Sequence, residues 1–157
     1  MNPEPGTELR RPLGYWLKLL DQLIEEHLDH VLMRKGIRRR HWQVMNLLKR
    51  HTDRGGRSIP ATRKDIAEQL GPFWSGSEVT LSEVLNELIQ RGWLTKTEPY
   101  GLTAAGEGAH AILAPIVQQA AGRIDDGVTA QEHAATVDVL RRMTANAQNR
   151  RHIGHVG

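Results

Sequence analysis

The sequence predicts a mainly α chain with one small β-hairpin, and three observations carry that expectation. Apolar residues at Leu13, Trp16, Leu17, Leu20, Leu23, Ile24, Leu28 and Val31 repeat at the i, i+3, i+4, i+7 spacing of a long amphipathic helix. A short helical pattern and a longer one, separated by a turn, are followed by two short strand-like segments. Thr-x-x-acid boxes stand where two of the helices would begin. At 157 residues the chain suits one domain, or one domain with a helical extension.

Each element follows in order. The first helix runs from Leu13 and ends at Gly36. A second spans about Arg38 to Lys49, with Trp42, Met45 and Leu48 on one face, and the Thr-Asp-Arg-Gly-Gly-Arg-Ser run at 52–58 is a loop. The third helix opens at Thr62, whose box partner is Asp65, buries Ile66, Ala67 and Leu70, and stops at Gly71. After a loop from Pro72 to Gly76, a fourth helix continues to Arg91 and is closed by Gly92. Trp93–Thr97 and Tyr100–Leu102 read as two strands around Glu98-Pro99. Thr103 caps a fifth helix, which Pro115 bends because it lacks a backbone donor. Beyond the Asp125-Asp126-Gly127 turn, Thr129 and Glu132 open a sixth.

Charge is polarised along the chain. The net is +3, yet residues 34–57 hold nine basic residues against Asp53 alone, a local +8 that leaves −5 elsewhere. Arginine outnumbers lysine 16 to 5, which a GC-rich genome would also produce, so the clustering is the stronger signal. There is no cysteine, which excludes disulfides, thiolate metal sites and cysteine nucleophiles. The first eleven residues lack an apolar run and no stretch approaches a membrane span, so a cytoplasmic location is expected. The P-loop, nucleophile-elbow, zinc-protease and dinucleotide-binding motifs are all missing, and no enzyme activity and no cofactor are expected.

A short helix, a turn, a longer helix and a hairpin make a winged helix-turn-helix. The stretches GIRRRHWQVMNLLKR (36–50), DIAEQLG (65–71), TLSEVLNELIQRGWL (80–94), LTAAGEGAHAIL (102–113) and VTAQEHAATVDVLRRMTANAQ (128–148) lie in one order. In them the chain resembles the MarR (multiple antibiotic resistance regulator) family of bacterial transcription regulators. The resemblance implies a homodimer on a two-fold double-stranded DNA operator. Residues 12–36 and 103–148 would form the helical dimerisation region and 37–102 the DNA-binding region, between a disordered 1–11 and a flexible 149–157.

The resemblance also sends the fourth helix into the major groove. Base-reading positions would be Ser77, Glu78, Thr80, Ser82, Glu83 and Asn86; ordinary capping and solvation is the alternative role for such residues. The chain departs from the family pattern in its longer 72–79 loop, which adds Phe73 and Trp74, in Glu83, and in a short wing without a minor-groove arginine. Arg38, Arg39, Arg40, Arg54, Arg57, Arg63 and Lys64, with Lys96 of the wing, are the expected phosphate contacts; a solvated charge run is the other reading. Relatives commonly bind aromatic acids or phenols, and Trp16, His41, Trp42, Met45 and His110 would line such an effector pocket. A tryptophan placed like Trp42 is more often core. His27-x-x-His30 and Glu107-x-x-His110 share helix faces as two zinc ligands would, but no metal site is assigned. Two other functions stay open at this point: a winged-helix protein-interaction module, suggested by Glu78, Glu83 and Glu87, and a zinc-responsive regulator.

Overall fold

Leu32, Ile37, Val44, Met45, Ile66, Val84, Leu85, Leu88 and Leu94 are each less than 2% exposed, and they mark where the core sits. The structure is a computed structural model and describes residues 10–71, 74 and 80–153. Its helices are α1 (Leu13–Leu32), α2 (Arg39–Arg50), α3 (Arg63–Leu70), α4 (Leu81–Gln90), α5 (Ala104–Ile124) and α6 (Ala130–Ile153). Residues 1–121 and 122–157 form two compact units.

In the first unit α2 is the central element. Its buried residues Arg40, His41, Trp42, Val44, Met45 and Leu48 occupy most of its circumference, so neighbours surround it. Helix α1 contributes only Leu28 and Leu32 to the core, while Leu13, Trp16, Leu17, Leu20 and Leu23 are 39–49% exposed. It stops at Leu32, earlier than expected, because Met33–Lys35 tighten into a 3₁₀ turn. Gly36 then ends the turn at φ 74°, a left-handed conformation that glycine adopts without strain.

The Thr62–Asp65 box forms as expected. The Thr62 hydroxyl accepts from the Asp65 backbone N–H at 3.1 Å, and the Asp65 carboxylate accepts from the Thr62 N–H at 3.0 Å. That backbone donor is the main reason the Asp65 carboxyl titrates below its ordinary range. Ile66 is buried but Ala67 is exposed, contrary to expectation, because a helix of eight residues presents only a narrow inner stripe. Helix α4 is shorter than expected: Thr80 is its N-cap, and the chain before it, 75–79, lies outside the described residues.

Of the expected β-hairpin the structure shows antiparallel pairing without strands. Among the described residues there is no strand, only isolated antiparallel bridges at Thr52–Ser58, Ala61–Tyr100 and Leu94–Leu102. Ala61 and Tyr100 exchange hydrogen bonds of 2.8 and 2.7 Å, and Thr95 and Thr103 donate to Gly101 and Trp93 at 3.0 Å each. The ladder stops there because the Thr95 hydroxyl takes over the turn, accepting the Gly101 N–H at 3.1 Å and reaching the Pro99 carbonyl at 3.4 Å.

Thr103 caps α5, accepting the Gly106 N–H at 3.1 Å and donating to the Gly92 carbonyl. Gly106 is there because nothing larger fits: a Cβ would stand 2.1 Å from the Trp93 carbonyl oxygen. Pro115 lies within α5, which continues through it.

In the second unit Thr129 and Glu132 form the expected box at 3.0 Å in both directions. Helix α6 runs past Gln148 to Ile153, so the expected flexible tail is helical that far. Val137, Val139 and Met143 are 52, 43 and 47% exposed, and Leu140 is partly buried. Residues 1–9 and 154–157, expected to be disordered, lie outside the described residues.

Candidate nucleic-acid interface and the groove beside it

Helix α4 turns Val84, Leu85 and Leu88 inward and leaves Glu83, Asn86, Glu87 and Gln90 exposed on the opposite face. Thr80 and Glu83 cap each other: the Thr80 hydroxyl accepts the Glu83 N–H at 3.2 Å and the Glu83 carboxylate accepts the Thr80 N–H at 3.3 Å. Both side chains are therefore occupied in starting the helix, the role weighed against base reading. Ser82 accepts a hydrogen bond from the Arg63 guanidinium, which ties α3 to α4. Asn86 is exposed. Ser77 and Glu78 lie outside the described residues.

The basic stretch divides in two. Arg39 and Arg40 are not surface cations. The Arg39 guanidinium meets Asp21 at 3.1 Å while its backbone N–H donates to Asp29 at 2.6 Å, and its side chain is only 16% exposed. Arg40 is 6% exposed, pairs with Glu25 at 2.9 Å and lies over the Trp74 ring. Three carboxylates of α1, one turn apart, draw these two arginines inward. Arg38, Arg54 and Lys96 are exposed and carry no side-chain hydrogen bond or ion pair among the described residues. Arg57 is exposed but paired with Asp53 at 3.1 Å, and Lys64 stands 3.9 Å from Glu68. Arg63 donates its backbone N–H to Glu98 at 2.7 Å, so the acidic wing residue caps α3.

The expected effector pocket is not brought together. Trp16 is exposed on α1 and Met45 is completely buried. His41 is buried, its Nδ1 accepting the Arg38 N–H at 3.0 Å and its Nε2 facing the Glu87 carboxylate. Trp42 and His110 do meet, stacked with centroids 4.7 Å apart, and the His110 Nε2 lies 3.2 Å from Asn46 Oδ1. Burial, and the charges of Lys49 and Arg50, push the His110 imidazole below its ordinary value, against an opposing pull from Glu107.

An open groove of about 520 Å³ lies instead between α2 and the end of α3. Of the expected residues only Trp42 borders it; Gln43, Asn46, Arg50, His51 and Gln69 supply its polar lining, and none of its lining residues is acidic. Sequence spacing gave no signal for these, since the groove depends on how α3 closes against α2. Of the two paired motifs, Glu107 bonds Lys49 and His110 meets Asn46, while His27 Nε2 is buried without a hydrogen-bond partner among the described residues. No group of three or more His, Asp or Glu among the described residues is arranged to hold a metal ion. Among those residues no helix is long and apolar enough to cross a membrane.

No family model matches the chain, and no curated protein matches it in sequence. Solved structures do. CouR from Rhodococcus jostii RHA1, bound to p-coumaroyl-CoA, is 18% identical with a TM-score of 0.70, covering 86% of this chain and 93% of that one. A Mycobacterium tuberculosis MarR family protein in complex with DNA is 20% identical with a TM-score of 0.65, covering 85% and 98%. The reduced form of MarR from E. coli is 19% identical with a TM-score of 0.64, covering 85% and 93%. The M. tuberculosis protein has also been solved with salicylic acid. The six-helix arrangement is thus that of MarR-family transcription regulators along nearly their whole length.

Proposed function

We propose that this chain is a homodimeric MarR-type regulator that binds operator DNA and responds to a small aromatic acid or phenol, acting as a repressor that the effector releases. The observation that carries the reading is the α3–α4 pair in a fold shared with a DNA-bound relative, with exposed cations beside it. By its order in the fold α4 is the reading helix and α3 crosses the backbone. Arg38, Arg54, Arg57, Arg63, Lys64 and Lys96 are the surface cations available to phosphate. Asn86 is the exposed amide best suited to a base edge, since Thr80, Ser82 and Glu83 already have partners.

Two features support the dimer. The α1 stripe from Leu13 to Leu23 and the Val137, Val139 and Met143 positions of α6 expose more large apolar side chains than a monomer of this size normally leaves in water. Relatives bound to salicylic acid and p-coumaroyl-CoA support the effector class. The protein-interaction alternative rests on Glu83 and Glu87, which stay exposed on α4 although Glu83 also caps the helix and Glu87 faces His41.

The test is a titration of the purified dimer against its own upstream intergenic duplex at several salt concentrations. The reading expects affinity that falls steeply with salt and a preference over random duplex. A verified dimer that binds no DNA at low salt would overturn it.

A further inference from the structure

Arg91 stands at the C-cap of α4 and reaches back to the end of α1. Its Nη1 donates to the Lys35 carbonyl at 3.3 Å and its Nη2 to the Gly36 carbonyl at 2.7 Å. The guanidinium lies 4.9 Å from the centre of the Trp93 ring, a flat surface that holds the fork in place. Gly36 leaves room for it, since a Cβ there would stand 2.5 Å from Nη2. One turn earlier on α4, Glu87 meets His41 of α2. Two side chains of α4 thus grip the stretch 35–41 at both of its ends.

That stretch is a stiff continuation of α1. Met33–Lys35 extend the helix as a 3₁₀ turn, and the turn is closed by the Gly36 N–H on the Met33 carbonyl at 2.9 Å and the Ile37 N–H on the Leu32 carbonyl at 3.3 Å. Leu32 and Ile37, on either side, are at most 1% exposed. A rotation of α1 therefore carries the Lys35 and Gly36 carbonyls with it. Beneath α4, Val84, Leu85 and Leu88 hold it to the core, but apolar contact has no direction of its own. The bond from Glu87 to His41 alone leaves a pivot. The Arg91 fork is the second directional contact, and two points fix an axis.

We propose that Arg91 is a positioning residue that locks α4 to the end of α1, so that the α1 helices of a dimer set the spacing of its two α4 helices. The proposal rests on the dimeric, DNA-binding reading above and adds the part that fixes its geometry. A two-fold dimer accepts half-sites only at the separation its two reading elements present.

Two measurements on the full-length chain test it, in Arg91→Met and Arg91→Lys. Arg91 is exposed, so both replacements leave the core intact. The first reads the distance between spin labels at Lys18→Cys on α1 and Asn86→Cys on α4, both exposed positions in a chain that has no other cysteine. Dilution with unlabelled chain restricts the signal to distances within one protomer. The natural Arg91 background should give one narrow distribution. Arg91→Met, which keeps the stem and removes the fork, should broaden it, and Arg91→Lys, which keeps the charge without the fork, should not restore it. The second measurement compares affinity for the operator with affinity for versions carrying one base pair more or less between half-sites, which turns one half-site by roughly 35° about the axis. The natural chain should favour the natural spacing by about tenfold or more, and Arg91→Met by about threefold or less.

A purely structural role for Arg91 would lower the unfolding midpoint and leave both the distribution and the spacing preference as they are. An unchanged distribution in Arg91→Met would therefore overturn the proposal. A distribution as narrow in Arg91→Lys as in the natural chain would overturn it too, because charge would then suffice without the fork. Broadening with the spacing preference intact would overturn the link from Arg91 to half-site spacing. Broadening in a chain that binds no DNA would support the hold of Arg91 on α4 while overturning the regulator reading.

Discussion

His41 and Glu87 join α2 to α4: a buried imidazole faces a carboxylate that is 57% exposed on the outer side of α4. Because the His41 Nδ1 accepts the Arg38 backbone N–H, the ring proton resides on Nε2 and donates to Glu87. The bond fixes α4 against the central helix and turns a carboxylate of its exposed face toward the protein. Glu87→Gln retains an acceptor and should change stability little. Glu87→Leu leaves a buried N–H unpaired and should cost about 1–3 kcal/mol. Denaturant midpoints check this. Equal losses in the two variants would show that charge, rather than an acceptor, is what His41 requires.

Two glycines of one helix should respond oppositely to alanine. A Cβ on Gly106 would meet the Trp93 carbonyl at 2.1 Å, a backbone atom that cannot swing aside, whereas one on Gly108 meets nothing within 4 Å. Gly106→Ala should therefore destabilise by about 1–3 kcal/mol through overpacking. Gly108→Ala should stabilise by about 0.5–1 kcal/mol, because alanine loses less backbone entropy in a helix. Thermal or denaturant unfolding of the two variants decides the matter. A destabilised Gly108→Ala would mean that α5 meets a second chain there.

The helices and their starts were legible in the sequence, because periodicity and Thr-x-x-acid boxes are local signals: Thr62 with Asp65 and Thr129 with Glu132 form as the spacing requires. What failed was non-local. Arg39 and Arg40 belong to a run that looks like a solvated cluster, and only the placement of Asp21, Glu25 and Asp29 on α1 draws them inside. His41 and Glu87 are 46 residues apart, and no spacing rule pairs them. Thr95 and Gly101 close a turn with a side-chain hydroxyl, which leaves a strand-like composition without a ladder. The groove is bordered by one expected residue, Trp42, because the remaining positions face it only once α3 has docked.

His110 gives stability a pH dependence whose sign is fixed by its environment. Burial is the main cause that lowers its pKa, Lys49 and Arg50 add to it, and Glu107 opposes. The unfolded chain therefore binds a proton more readily than the folded one. This contribution to stability is complete above the ordinary histidine value of 6.5 and is lost as pH falls below it toward the folded value. His110→Gln removes the titration while keeping a donor for Asn46, so its stability should fall less between pH 7 and pH 5 than that of the natural chain. Denaturation midpoints across that range check it. A steeper fall in the variant would show that the folded chain, not the unfolded one, holds the proton more tightly.

The two classes of arginine predict separable phenotypes. Arg40→Ala removes a charge-assisted bond to Glu25, which is 31% exposed and can turn to water, and the group over Trp74, so the fold should lose about 1–3 kcal/mol. Arg54→Ala and Lys96→Ala act on exposed side chains and should leave the unfolding midpoint unchanged. If those two cations meet phosphate, each replacement should weaken binding to all duplexes alike and reduce the slope of log affinity against log salt by about 0.9. Charge at Lys96 and at the 52–58 loop would then position α4 without specifying sequence. Salt titrations of both variants against operator and random duplex measure the two quantities together. Discrimination lost with an unchanged salt slope would move Arg54 and Lys96 from phosphate to base edges.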